Sequence, residues 1–116
     1  MSDCVIYHNP ACGTSRNTLA LLREKGIEPR VVEYLKVGWT EAQLKTLAAR
    51  AGVPLRAFLR LRGTRAEALG LTGEGVSEAT LAAAMAQEPI LVERPIVEGP
   101  RGVALCRPAE RVLDLI

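Results

Sequence analysis

The stretch His8-Asn9-Pro10-Ala11-Cys12-Gly13-Thr14-Ser15-Arg16 joins a short apolar run to an amphipathic one and sets a single cysteine at the junction. Upstream, Cys4-Val5-Ile6-Tyr7-His8 is rich in strand formers and is stopped by Asn9-Pro10, which predicts a buried first strand. Downstream, Leu19, Ala20 and Leu22 supply one face of a helix from about Ser15 to Lys25, with Arg23 and Lys25 in its last turn and Gly26 as its stop. A helix start gathers unpaired N–H groups and about half a positive charge. A cysteine placed there can have its pKa lowered from about 8.5 into the range of roughly 3.5–7.5, and an anion is favoured beside it. The stretch is therefore read as a reactive thiolate next to an anion site.

Working outward, Glu28-Pro29 resets the chain and Val31-Val32-Glu33-Tyr34 reads as a second strand. Strand, helix, strand implies a parallel pair with a right-handed crossover. Thr40-Glu41-Ala42-Gln43 is a capping-box pattern that opens a helix to about Arg50, stopped by Gly52. A short helical turn is expected after Pro54. Thr64-Arg65-Ala66-Glu67 repeats the capping pattern ahead of Leu69-Gly70, and Ser77 caps a helix from Glu78 to about Gln87 that Pro89 ends. Ile96-Val97-Glu98 and Val103-Ala104-Leu105-Cys106 flank Gly99-Pro100-Arg101-Gly102, a hairpin signal, and Pro108 opens a closing helix to Leu115. The order is that of an α/β, thioredoxin-like layout: a four-stranded mixed sheet covered by helices on both faces, with an inserted helical segment.

The 116 residues, 48% hydrophobic and 24% charged, suit one domain over 1–116 that closes a core without staples. Met1-Ser2-Asp3-Cys4 has no basic, apolar leader, and no run approaches the ~18 apolar residues of a membrane span. A cytoplasmic, monomeric protein without membrane contact is expected. Cys4, Cys12 and Cys106 form no C-x-x-C pair, and His8 is the sole histidine, so no metal site is expected and free thiols in a reducing compartment are. A net charge of +2 with 3% aromatic residues gives no case for nucleic-acid binding.

A hairpin turn centred between Pro100 and Arg101 pairs residues whose numbers add to 201, so Arg94 faces Arg107. Like charges opposite one another are destabilising unless something anionic lies between them. A bulge would shift this register by one residue and send the side chains to opposite faces. By the same alternation Cys106 points away from Arg107, against a pairing with Cys12. Spacing alone does not separate Arg60 from Arg56, Arg62 or Arg65.

The segments His8 to Thr18, Arg94-Pro95-Ile96-Val97 and Leu105-Cys106-Arg107-Pro108 closely resemble the glutaredoxin-linked arsenate reductase family over nearly the whole chain. The resemblance implies a thioredoxin-like fold and reduction of arsenate to arsenite with electrons from glutathione and glutaredoxin, with no bound cofactor. It makes Cys12 the nucleophile, His8 a neighbour that favours its thiolate, and Ser15 a loop residue able to hydrogen-bond the sulfur, although Ser15 can also be read as a helix cap. Arg94, Arg107 and, through Arg56-x-x-x-Arg60, Arg60 match the arginines that hold the oxyanion. Pro95 takes the place of the cis proline beside the active cysteine. A phosphatase of the C-x5-R type needs arginine at Thr18, and a dithiol oxidoreductase needs cysteine at Ser15. The remaining alternative is a related redox regulator or glutathione-dependent thiol protein without arsenate activity.

Overall fold

A computed structural model describes residues 4–116, so Met1-Ser2-Asp3, inspected above for a leader, lies outside the described residues. The chain forms two compact units, one from Met1–Val37 with Arg94–Ile116 and the other from Gly38–Glu93. The first holds β1 (Val5–His8), α1 (Gly13–Glu24), β2 (Arg30–Glu33), α2 (Tyr34–Val37), β3 (Ile96–Gly99), β4 (Gly102–Leu105) and a closing 3-10 helix (Ala109–Leu115). Its four strands run in the order β2-β1-β3-β4. β1 pairs parallel with β2, as a crossover through α1 requires, and antiparallel with β3, which pairs antiparallel with β4. This is the α/β, four-stranded mixed sheet of the thioredoxin-like class.

The hairpin keeps the expected register without a bulge, from Gly99↔Gly102 to Ile96↔Leu105. One step further the Cys106 N–H donates to the Pro95 carbonyl at 2.9 Å. The Arg94–Pro95 peptide is cis, as the resemblance implied, and so is Arg107–Pro108. One sheet face carries the row Ile6, Val97 and Ala104, against which Leu22 of α1 and Val112 and Leu115 of the closing helix pack with Cys4 and Cys106. Full burial of each large apolar side chain contributes about 1.5–3 kcal/mol. Gly99 is required by this packing, because a Cβ there would collide with the Leu115 carbonyl oxygen.

The second unit packs α3 (Glu41–Ala51) and α4 (Glu78–Gln87) with 3-10 turns at Leu55–Phe58 and Pro89–Leu91. Thr40 and Gln43 close both halves of the capping box, Gly52 ends α3 at φ 70°, and the Ser77 hydroxyl accepts from the Thr80 N–H. Three expectations are corrected. Tyr34 does not extend the second strand but starts α2, which Gly38 ends at φ 79°. Thr64 caps no helix: its hydroxyl donates back towards the Arg60 and Leu61 carbonyls and accepts only from the Ala66 N–H. Glycines at 63 and 70, both with positive φ, leave that segment room for little more than one turn. Finally, Pro108 stands one residue ahead of a closing helix that is 3-10 rather than α.

Candidate active site

The Cys12 loop is rigid because its polar groups satisfy one another. Asn9 Oδ1 accepts from the Ala11 N–H at 2.9 Å, and the Cys12 N–H donates to the Asn9 carbonyl at 3.0 Å, so Asn9-Pro10 folds the chain back on itself. Arg16 Nη1 ties down the Pro10 carbonyl at 2.9 Å. α1 then begins at Gly13, two residues before the sequence suggested, and Cys12 rather than Ser15 holds the N-cap position. The half-buried sulfur therefore lies at the positive end of a twelve-residue helix.

Ser15 is fully buried, and its hydroxyl is engaged by His8 and Asn9. Its Oγ accepts from the Asn9 N–H at 3.1 Å and meets His8 Nδ1 at 2.6 Å. The Ser15 hydroxyl therefore bridges the Asn9 backbone and the His8 ring. Burial lowers the His8 pKa below its ordinary 6.5; Glu33 opposes this, and Arg23 and Arg16 add to it. His8 thus contacts Ser15, whose backbone N–H faces the sulfur. The sulfur closes no hydrogen bond of standard geometry with the helix end, yet this N–H still favours the charged form.

The hairpin brings two arginines to the same atom. Arg107 Nη1 lies 3.8 Å from Cys12 Sγ and donates to the Arg94 carbonyl at 2.9 Å. Arg94 carries a second positive charge beside Cys12, and its Nε and Nη1 are buried with no hydrogen-bond partner. Burial pushes the Cys12 thiol up, but the Ser15 N–H, then Arg94 and Arg107, outweigh it, and the net pKa lies below the ordinary 9.0. Cys106 contrasts with it: buried on the opposite side of the chain from Arg107, its thiol is pushed up to about 12. Cys4 is likewise buried and raised by burial and by Glu98.

Arg60 belongs to the other unit, where its Nη1 pairs with Glu93 Oε1 at 2.8 Å. Antiparallel bonds from the Arg60 N–H to the Leu91 carbonyl and from the Glu93 N–H to the Phe58 carbonyl hold the two residues beside each other. The site thus joins Cys12, Ser15, His8, Arg94 and Arg107, and the Arg60 charge is answered by Glu93. Sequence reasoning used Asn9 only to end the first strand and passed over Glu93; Asn before Pro is a recognisable turn signal, whereas nothing local marks Glu93 as the partner of Arg60. Among the described residues no three His, Cys, Asp or Glu side chains gather to hold a metal ion, and no helix is long and apolar enough to cross a membrane.

A thiolate beside two guanidiniums, one with open donors, can bind a tetrahedral oxyanion and attack its central atom. Comparison with known proteins points the same way. The ArsC family profile matches residues 7–115. An arsenate reductase of Rhizobium meliloti is 52% identical over 111 residues, 96% of this chain and 79% of its own length. One from Escherichia coli is 47% identical over 116 residues, all of this chain and 82% of its own. The structure of the arsenate reductase from Vibrio cholerae superposes with a TM-score of 0.92 at 41% identity, covering 97% of each chain.

Proposed function

We propose, from the premise that this chain belongs to the ArsC family, that it reduces arsenate to arsenite through a Cys12–arsenic adduct, with glutathione and glutaredoxin as electron donors. The observation that carries this reading is the convergence of Arg94 and Arg107 on a sulfur whose pKa is lowered, with two buried Arg94 donors left open for an anion. Arsenate is a tetrahedral dianion at neutral pH, and arginine forks match its oxygens. The arginines also offset the repulsion between two anions that must approach, which is electrostatic catalysis.

In the first step the Cys12 thiolate forms a sulfur–arsenic bond, and one arsenate oxygen leaves with two protons as water. A glutathione thiolate then joins the adduct at arsenic or sulfur. Arsenic takes up two electrons, and two sulfurs give them up as they couple in a disulfide that glutaredoxin resolves. The net change is arsenate and two thiols to arsenite, a disulfide and water. This mechanism makes Cys12 the catalytic residue, and Arg94 and Arg107 the substrate-binding pair. Arg60 is assigned a lesser share in oxyanion binding, since Glu93 competes for it. The reading includes a single cytoplasmic, monomeric domain whose three free thiols need a reducing compartment.

Arsenite formation with glutathione and active glutaredoxin tests the proposal. The native chain should produce arsenite and Cys12→Ser should produce none; a native chain that makes no arsenite, or an equally active Cys12→Ser, overturns it.

A further inference from the structure

The loop between β1 and α1 carries few anchors of its own. Pro10 and Ala11 are exposed, so burial does little to fix them, and Pro10 has no N–H to give. The backbone donors left to the loop are those of Ala11 and Cys12, and both end on Asn9. The Ala11 N–H donates to its Oδ1 at 2.9 Å and the Cys12 N–H to its carbonyl at 3.0 Å. Asn9 is 5% exposed, and its own N–H donates to the Ser15 hydroxyl at 3.1 Å. One buried residue directly after β1 thus holds the loop at Ala11, at Cys12 and, through Ser15, in the first turn of α1. Of these three ties only Oδ1 belongs to the Asn9 side chain, so only this one depends on the residue type. It closes an Asx turn, which fixes the direction in which the chain leaves Pro10. Arg16 holds the Pro10 carbonyl separately, so loss of the turn leaves the loop tethered but free to turn beyond Pro10.

We propose that Asn9 is a positioning residue for Cys12: its amide oxygen fixes Ala11 so that Cys12 enters the N-cap position of α1 with its sulfur 3.8 Å from Arg107 Nη1. Without Oδ1 the Ala11 N–H turns to solvent and Ala11 samples other backbone conformations, which swing the Cys12 side chain away from the helix start and the arginine. A sulfur already held in place needs no ordering when it meets its target, whereas a mobile one does. Asn9 thereby acts on the reacting atom through the backbone. The inference rests on the reading of Cys12 as the nucleophile, but not on turnover.

Alkylation of Cys12 by iodoacetamide tests it without arsenate or reductant, since Cys4 and Cys106 are buried. The native chain is compared with Asn9→Ala, Asn9→Leu and Asn9→Ser for the pH midpoint of alkylation and for the rate at a fixed pH below it. Serine restores an oxygen that can accept from the N–H two residues on. Alanine differs from serine by that oxygen alone, and leucine fills the space of the amide. Melting temperatures show which variants keep the fold. Loss of one neutral hydrogen bond should lower the rate roughly fivefold in Asn9→Ala and Asn9→Leu and move their midpoints upward. Asn9→Ser should stay within about twofold of the native rate. A native rate and midpoint in whichever of the alanine and leucine variants folds, or an equal loss in Asn9→Ser, overturns the proposal. Failure of both to fold would make Asn9 a folding residue and overturns it as well. Arsenite formation with unmoved midpoints would defeat this inference alone. The expected midpoints in a chain that makes no arsenite would leave Asn9 in this role and defeat the reductase reading instead.

Discussion

Arg94 and Arg60 are the same side chain in opposite circumstances. In the β-hairpin unit, Arg94 is partly buried beside the Cys12 sulfur with two donors unmet. In the helical unit, Arg60 faces a carboxylate at 2.8 Å, with 14% of its side chain and 20% of that of Glu93 exposed. A guanidinium with unmet donors is prepared for an anion it does not yet have. One already paired must give up its partner first. The contrast teaches that an arginine's presence in a motif fixes its charge, while its neighbours fix whether that charge is available.

That contrast can be broken by substitution. Arg94→Ala removes two charge-assisted bonds to the oxyanion, together worth about 3 kcal/mol, and should raise KM for arsenate on the order of 100-fold in steady-state kinetics. An effect below threefold would mean that the open donors do not meet the substrate. Next in size, Ser15→Ala strands the buried Asn9 N–H and His8 Nδ1, and urea unfolding should show a loss of about 1–3 kcal/mol. No loss would show that the loop is not held by this hydroxyl.

Arg60→Ala should change KM by less than about tenfold, one charged hydrogen bond at most, while costing stability because the 2.8 Å ion pair with Glu93 is lost. Pairing it with Glu93→Gln should recover most of that stability. A KM effect as large as that of Arg94→Ala would erase the distinction between the two arginines.

The smallest effect concerns His8, the sole histidine, whose NMR resonance is unambiguous. Its midpoint should lie below 6.5. A folded pKa below the unfolded one means that the associated stability is present above pH 6.5 and is lost as pH falls through the folded midpoint. A midpoint above 6.5 would instead make His8 a cation beside Cys12 near neutrality.

How much of this was legible in the sequence follows from how local each signal is. The Thr40 and Ser77 caps, the Gly52 stop and the hairpin register are set by residues a few positions apart, and the structure keeps all of them. From that register the meeting of Arg94 and Arg107, and the burial of Cys106 away from them, could be read in advance. The Thr64 capping pattern failed because flanking glycines with positive φ leave no length for a helix, a competition that the four-residue motif does not contain. The hydroxyl partner of Ser15 was not legible, because it is His8 on β1, seven residues back and across a turn. Glu93 was invisible for a similar reason, since its importance lies in a contact with Arg60 that no short-range pattern encodes.

The central claim is that the helix start and two arginines hold Cys12 as a thiolate against the cost of burial. The pH dependence of its alkylation in the native chain tests this most directly. The account predicts a midpoint clearly below 9.0, the ordinary value. A midpoint at or above 9.0 would mean that burial prevails, and would contradict the account.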